Sequence, residues 1–124
     1  MAPNSYCYID YYQTYNPIGY GEPLANGHRP ITIDKVYEFD PYAGLNTEEQ
    51  KYITGVQVNL WTEYISDFGH VQHMLLPRLA ALAEVGWSYD RKDYEDFKLR
   101  LNKLRKVYDR DGFKYAPYFF NGIE

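Results

Sequence analysis

Two stretches of this sequence alternate in the manner of β-strands, and residues 11–52 lie between them. The first is Ser5-Tyr6-Cys7-Tyr8-Ile9-Asp10, short, aromatic and bounded by Pro3 and Asn4. The second is the stretch Ile53 to Trp61, with Val56, Val58 and Leu60 alternating after Gly55. Strands so far apart are joined by a crossover and not a tight hairpin, so they pair in parallel. Parallel sheets are covered on both faces, and a two-stranded one does not stand alone. The pattern therefore reads as α/β, a part of a larger sheet or barrel.

The intervening and following residues supply the helices. A long loop from Tyr11 to Pro30, rich in Pro and Gly, has the length of a functional loop or a disordered one. The stretch Ile31 to Tyr37 predicts a short helix starting near Thr32 or Asp34 and stopped at Phe39-Asp40-Pro41. Thr47-Glu48-Glu49-Gln50 reads as one turn with Thr47 as N-cap. From Val71 to Trp87 the apolar positions recur at helical spacing, with Pro77 inside the run, so a helix begins at Leu76 or Pro77 or bends there. A last helix is expected from Arg91 to Asp109, capped by Asp90 or Ser88, with Tyr94, Phe97, Leu101, Leu104 and Tyr108 on one face. Asp111-Gly112 ends it, and the aromatic tail Phe113 to Phe120 is expected to be extended.

Charge and composition exclude several classes. With 124 residues there is one domain at most, here 1–124. Seventeen acidic against thirteen basic residues give a net charge of -4, without the basic patch that a nucleic-acid binder needs. No apolar run approaches the roughly 18–20 residues that span a bilayer. No signal peptide is read at the start, where Met1 leads into Pro3 and Asn4 with neither a basic stretch nor an apolar segment. A lone cysteine, Cys7, rules out an internal disulfide or a multi-cysteine zinc site and leaves the compartment open. Fifteen tyrosines are enough to furnish both a core and a surface that meets sugars or other polar ligands.

Chemistry-bearing residues cluster at the C-terminal ends of the two strands, where α/β barrels build their active sites. Alternation puts Tyr8 and Asp10 on one side of the first strand end, a phenol beside a carboxylate. A core Tyr next to a turn-forming Asp accounts for the same spacing. Trp61 and Glu63 share a face at the end of the second strand. An indole stacks on the C–H face of a pyranose, and a carboxylate accepts from its hydroxyls. A buried Trp beside a surface Glu is the plainer account.

Other candidates carry less. His70 and His73, at i and i+3, would be half a metal site, but no further ligand spacing completes it. Arg78 and Glu84 are candidates for a buried structural ion pair. Cys7 reads as a small buried hydrophobe. The mixed-sign run Arg91 to Asp96 is a solvated helix face, and no phosphate-cradling glycine motif is present.

The segment Gly55 to Ile65 (GVQVNLWTEYI) resembles the eighth-strand segment of family 20 glycoside hydrolases, the β-N-acetylhexosaminidases. Met74 to Trp87 resembles the helix that follows in that family, Tyr8 to Gln13 its seventh-strand segment, and Phe97, Arg100, Leu101 and Tyr108 to Tyr115 its closing helix. The likeness covers nearly the whole chain in order. It implies a (β/α)₈ TIM barrel that removes terminal N-acetylglucosamine or N-acetylgalactosamine from glycans, with no cofactor and no metal. Configuration is retained by substrate assistance, the acetamido oxygen attacking its own anomeric carbon, outside the usual two-carboxylate scheme. Carried onto this chain, Tyr8 is the tyrosine that positions the acetamido oxygen. Asp10 and Glu63 bind hydroxyls on the far side of the sugar, and Trp61 is a wall of the −1 pocket.

The departures matter equally. The family's catalytic Asp-Glu dipeptide, on its fourth strand, has no counterpart here. The acidic neighbours Glu48-Glu49 and Glu95-Asp96 both fall on expected helices. The chain therefore looks like the C-terminal portion of such an enzyme, about its last two βα units, from a truncated product, a split gene or a deliberate cut. It is expected to be inactive and poorly stable alone, and open to self-association through unpaired strands. The rival expectation is a non-catalytic carbohydrate-binding or oligomerising module. Periplasmic or secreted location is compatible with the parent, since glycan scavengers are often exported.

Overall fold

The computed structural model describes residues 1–15 and 29–122. The described helices are α1 (Asn4–Cys7), α2 (Ile33–Tyr37), α3 (Thr47–Gln50), α4 (Phe68–Leu75), α5 (Arg78–Ser88), α6 (Tyr94–Asp111) and α7 (Tyr118–Asn121), with a 3₁₀ turn at Tyr89–Arg91.

The two expected strands are not formed as strands. They meet in a single parallel bridge, Tyr8 with Asn59. Ile9 N–H donates to Asn59 O at 2.9 Å and Asn59 N–H to Cys7 O at 2.8 Å. Upstream, Gln57 N–H donates to Met1 O, so the chain start runs beside residues 55–59 in the expected parallel sense. Between these contacts the backbone coils into α1, where Cys7 N–H returns to Pro3 O. The reason is partner supply. A peptide group taken out of water needs a hydrogen-bond partner within the protein. A two-strand pair leaves each outer edge without one, and a helical turn closes its bonds locally.

Helix prediction fares better, with corrections at the ends. Thr32 caps α2, its hydroxyl accepting from Lys35 N–H at 3.2 Å. The cap of α3 is Asn46 and not Thr47: Asn46 Oδ1 accepts from the N–H groups of Glu48 and Glu49, and Glu49 returns a carboxylate to Asn46 N–H. The Val71–Trp87 run divides into α4 and α5 at the cis peptide Leu76–Pro77. The last helix starts at Tyr94, later than expected, because Asp93 and neither Asp90 nor Ser88 takes the cap, accepting from Asp96 N–H. Gly112 closes it in the left-handed region at φ 74°. The tail is not extended throughout; it ends in α7. Part of the long loop, residues 16–28, lies outside the described residues.

The core forms where α2 packs on α5, with Val36, Ala81, Leu82 and Val85 at its centre and Phe97 and Leu101 of α6 closing it. Cys7 and Ile9 are wholly buried, so the first strand-like segment is anchored in the interior. Gly86 lets α5 lie close against the second segment, since a Cβ there would stand 3.0 Å from Val56 Cγ2. Among the described residues no helix is long and apolar enough to cross a membrane.

Candidate functional site

The bridge between Tyr8 and Asn59 brings together two clusters that are fifty residues apart in sequence. Tyr8 and Asp10 follow the buried Cys7 and Ile9, so their place is set by the interior. Trp61 and Glu63 leave the bridge on the other segment. The Tyr8 and Trp61 rings meet edge to face with centroids 5.8 Å apart, a favoured aromatic geometry. Tyr11 also meets Tyr8 edge to face, with centroids 6.2 Å apart. Trp61 keeps half its surface exposed, and Glu63 is exposed. The second cluster is thus not a buried Trp beside a surface Glu, but an open indole beside a carboxylate.

Asp10 is different in kind. It is 7% exposed, and its Oδ1 is buried with no hydrogen-bond partner among the described residues. Burial pushes its pKa above the ordinary carboxyl value. The N–H groups of Asp10 itself and of Trp61, and the nearby Arg78 charge, pull the other way, while Glu63 adds to the upward push. The carboxylate is therefore buried close to main-chain donors, with one buried oxygen left without a partner among the described residues.

Arg78 anchors this corner. It is 1% exposed and makes no ion pair with Glu84, correcting the sequence expectation. Its Nη1 donates to Tyr11 O at 3.0 Å and Ile31 O at 2.9 Å, its Nη2 to Ile9 O and Met74 O. Glu84 instead takes a bidentate pair from Arg100, at 3.0 and 2.6 Å. Nearby, Gln13 Nε2 donates to His73 O at 2.8 Å and Ile31 N–H to Tyr12 O at 2.7 Å, so the segment after Asp10 is stitched to α4 and to residue 31. Sequence reasoning missed this role of Arg78; its burial beside carbonyls has no local signature.

The remaining candidates resolve as structure. His70 and His73 are buried on α4, and the His73 ring packs edge-on to Tyr118 at 5.7 Å. Among the described residues no group of three His, Cys, Asp or Glu is arranged to hold a metal. The Cys7 thiol is fully buried and pushed up to about 11, as an inert core group. Glu48-Glu49 and Glu95-Asp96 lie in the first turns of α3 and α6, as expected. A groove of about 560 Å³ runs between α5 and α6, beside Trp87, Leu79 and Phe97, and none of the four site residues lines it.

The profile of the glycosyl hydrolase family 20 catalytic domain matches residues 1–90. This chain belongs to glycosyl hydrolase family 20. Family 20 relatives agree over most of its length. A β-N-acetylhexosaminidase of Cellulomonas fimi is 33% identical over 117 residues, which are 93% of this chain and 23% of that protein. A β-hexosaminidase of Akkermansia muciniphila is 32% identical over 86% of this chain and 21% of its own length. Among solved structures, the family 20 exo-β-N-acetylglucosaminidase of Vibrio harveyi in complex with N-acetylglucosamine superposes with a TM-score of 0.80. It is 30% identical, and the match covers 93% of this chain and 18% of that one. A Streptomyces plicatus N-acetyl-β-hexosaminidase superposes at 0.78 with 27% identity, over 93% of this chain and 22% of its own. The fold is thus a TIM-barrel-derived one, mostly helical here, and the chain spans about a fifth of the relatives it matches.

Proposed function

We propose that residues 1–124 are the part of a β-N-acetylhexosaminidase that contains the last two βα units of its barrel, and that they supply one side of the −1 sugar pocket. The observation that carries this reading is the bridge-held set of Tyr8, Asp10 and Trp61, a hydroxyl, a carboxylate with an unpartnered oxygen and an open indole on one end of the paired segments. Tyr8 Oη donates to the acetamido oxygen and holds it at the anomeric carbon. Positioning of this kind accounts for up to about 7–11 kcal/mol of a barrier in well-oriented reactions. Asp10 and Glu63 accept from hydroxyls on the far side of the ring, and Trp61 covers its apolar face.

In the reaction the acetamido oxygen attacks the anomeric carbon, and the bond to the leaving oxygen breaks as that oxygen takes a proton from a general acid. Water then opens the cyclic intermediate with retention. The sequence holds no Asp-Glu dipeptide to provide that acid and orient the acetamide. The chain on this reading binds and positions but does not turn over by itself. A second reading, a non-catalytic carbohydrate-binding chain, takes the half-exposed Trp61 indole as a sugar platform alone. Intact mass of the native product from its source separates the two: a mass several-fold above 14.7 kDa is expected for the enzyme.

The test is hydrolysis of a chromogenic N-acetyl-β-glucosaminide by the 124-residue chain, beside a Trp61→Ala variant, with tryptophan fluorescence read during N-acetylglucosamine titration. The expected outcome is no turnover in either protein and a sugar-dependent fluorescence change that Trp61→Ala removes. Turnover that disappears with Trp61 would make Asp10 or Glu63 the acid and overturn their assignment as sugar-binding groups.

A further inference from the structure

We propose that Arg78 is the positioning residue for Asp10, its buried guanidinium gripping the main-chain carbonyls on both sides of that residue, Ile9 O and Tyr11 O. The inference deepens the sugar-pocket reading and rests on it for its functional consequence. A surface arginine would satisfy its donors with water. This one is 1% exposed and spends its donors on carbonyls of three separate segments, around residues 9–11, at Ile31 and at Met74. Arg is suited to this because its planar fork presents several donors in fixed directions, which a lysine ammonium does not.

The geometry ties the helix pair to the site. Arg78 opens α5 and also bonds back to Met74 O on α4, so the fork is held from both sides of the Leu76–Pro77 junction. The grip on Ile9 O fixes the peptide plane that leads into Asp10, and the grip on Tyr11 O fixes the plane one residue further on. Holding the chain on both sides of Asp10 limits where its carboxylate points, and with it the oxygen that has no partner among the described residues. The groups facing that carboxylate are Arg78, Glu63 and the N–H groups of Asp10 and Trp61. Arg78 touches neither sugar nor reacting atoms on this account; it acts through Asp10.

The experiment is NMR on the full 124-residue chain, following the Asp10 carboxyl carbon and the Arg78 guanidinium signals from pH 3 to 8. In the native chain the Arg78 signals should shift with the same midpoint as Asp10, and Asp10→Asn should abolish that shift. In Arg78→Lys, which keeps the charge but loses the fork, the Asp10 midpoint should move upward, and N-acetylglucosamine should bind about tenfold more weakly. Leu101→Ala, a core truncation remote from Asp10, controls for loss of stability and should leave the midpoint in place. Arg78 signals flat through the Asp10 titration, or an unmoved Asp10 midpoint in Arg78→Lys, would overturn the proposal. Should Arg78→Lys fail to fold, the native-chain and Asp10→Asn titrations decide alone. A native chain whose Asp10 and Arg78 titrate together yet which binds no sugar would refute the pocket reading while leaving the positioning intact.

Discussion

Asp10→Asn should stabilise this chain at neutral pH. Asp10 is buried with one oxygen that has no partner among the described residues, and burial is the largest influence on its carboxyl, outweighing Arg78 and the main-chain donors. A buried polar group without its partner costs about 1–3 kcal/mol. The existing donors offset part of that, so a gain of about 1 kcal/mol is the expectation for an uncharged amide of the same shape. The sign with pH follows from linkage. Because the folded-state pKa is raised, the folded chain holds the proton more tightly than the unfolded chain. The protonated state is therefore the comfortable one, and stability is lost as pH rises from the unfolded carboxyl value, ~3.9, through the higher folded value. The advantage of Asn should be absent at pH 3 and full at pH 7. Urea denaturation followed by tryptophan fluorescence reads it. With an m-value of roughly 1–3 kcal/mol/M, the midpoint at pH 7 should rise by about 0.3–1 M. A variant less stable than native at pH 7, or one with the same advantage at pH 3, would refute the claim that burial dominates at Asp10.

Two further outcomes test the electrostatics of the scaffold. Arg100→Met should destabilise by about 1–2 kcal/mol, since Glu84, 9% exposed, loses a bidentate partner while Arg100 itself is half in solvent, and a double-mutant cycle with Glu84→Gln should recover most of the loss. Purely additive effects in that cycle would show that the pair contributes nothing. Tyr89→Phe should flatten the acid limb of the stability curve. The Tyr89 hydroxyl donates to Asp40 Oδ1 at 2.7 Å and holds Asp40 below its ordinary value, while its own pKa is pushed to about 12. That lowered carboxyl stabilises the fold above the unfolded carboxyl pKa, and the contribution disappears as pH falls through the folded value. Urea midpoints that fall equally in native chain and variant below about pH 4 would contradict it.

What could be read from the sequence was whatever is decided within a turn or two of chain. The helices at residues 78–88 and 94–111 follow from apolar spacing and the one at 33–37 from its start and stop signals, and the errors are local as well. Asn46 took a cap from Thr47 and Asp93 one from Asp90, because adjacent polar residues compete for one position and only backbone geometry chooses. The Arg78–Glu84 expectation failed for a reason available in advance. Six residues on a helix is about 600°, which puts the two side chains some 120° apart, outside the i+3 and i+4 neighbourhood. The strands failed for a different reason. Alternation at Val56 and Val58 assigns side chains to faces, whereas a ladder is a property of the whole sheet. With only the Tyr8–Asn59 bridge formed, that pattern persists in the residues without producing the element. The meeting of the two segments was legible all the same, because the approach of Tyr8 to Trp61 depends on where each segment ends and not on how long its ladder runs. What stayed hidden was Arg78, whose partners at residues 9, 11 and 31 come within reach only once the chain has folded. A carboxylate that burial penalises, beside a buried arginine that grips main-chain carbonyls, is a local conflict of the kind that proteins retain at binding sites. That conflict, more than the aromatic content, is the strongest physical reason for placing function at this corner of the fold.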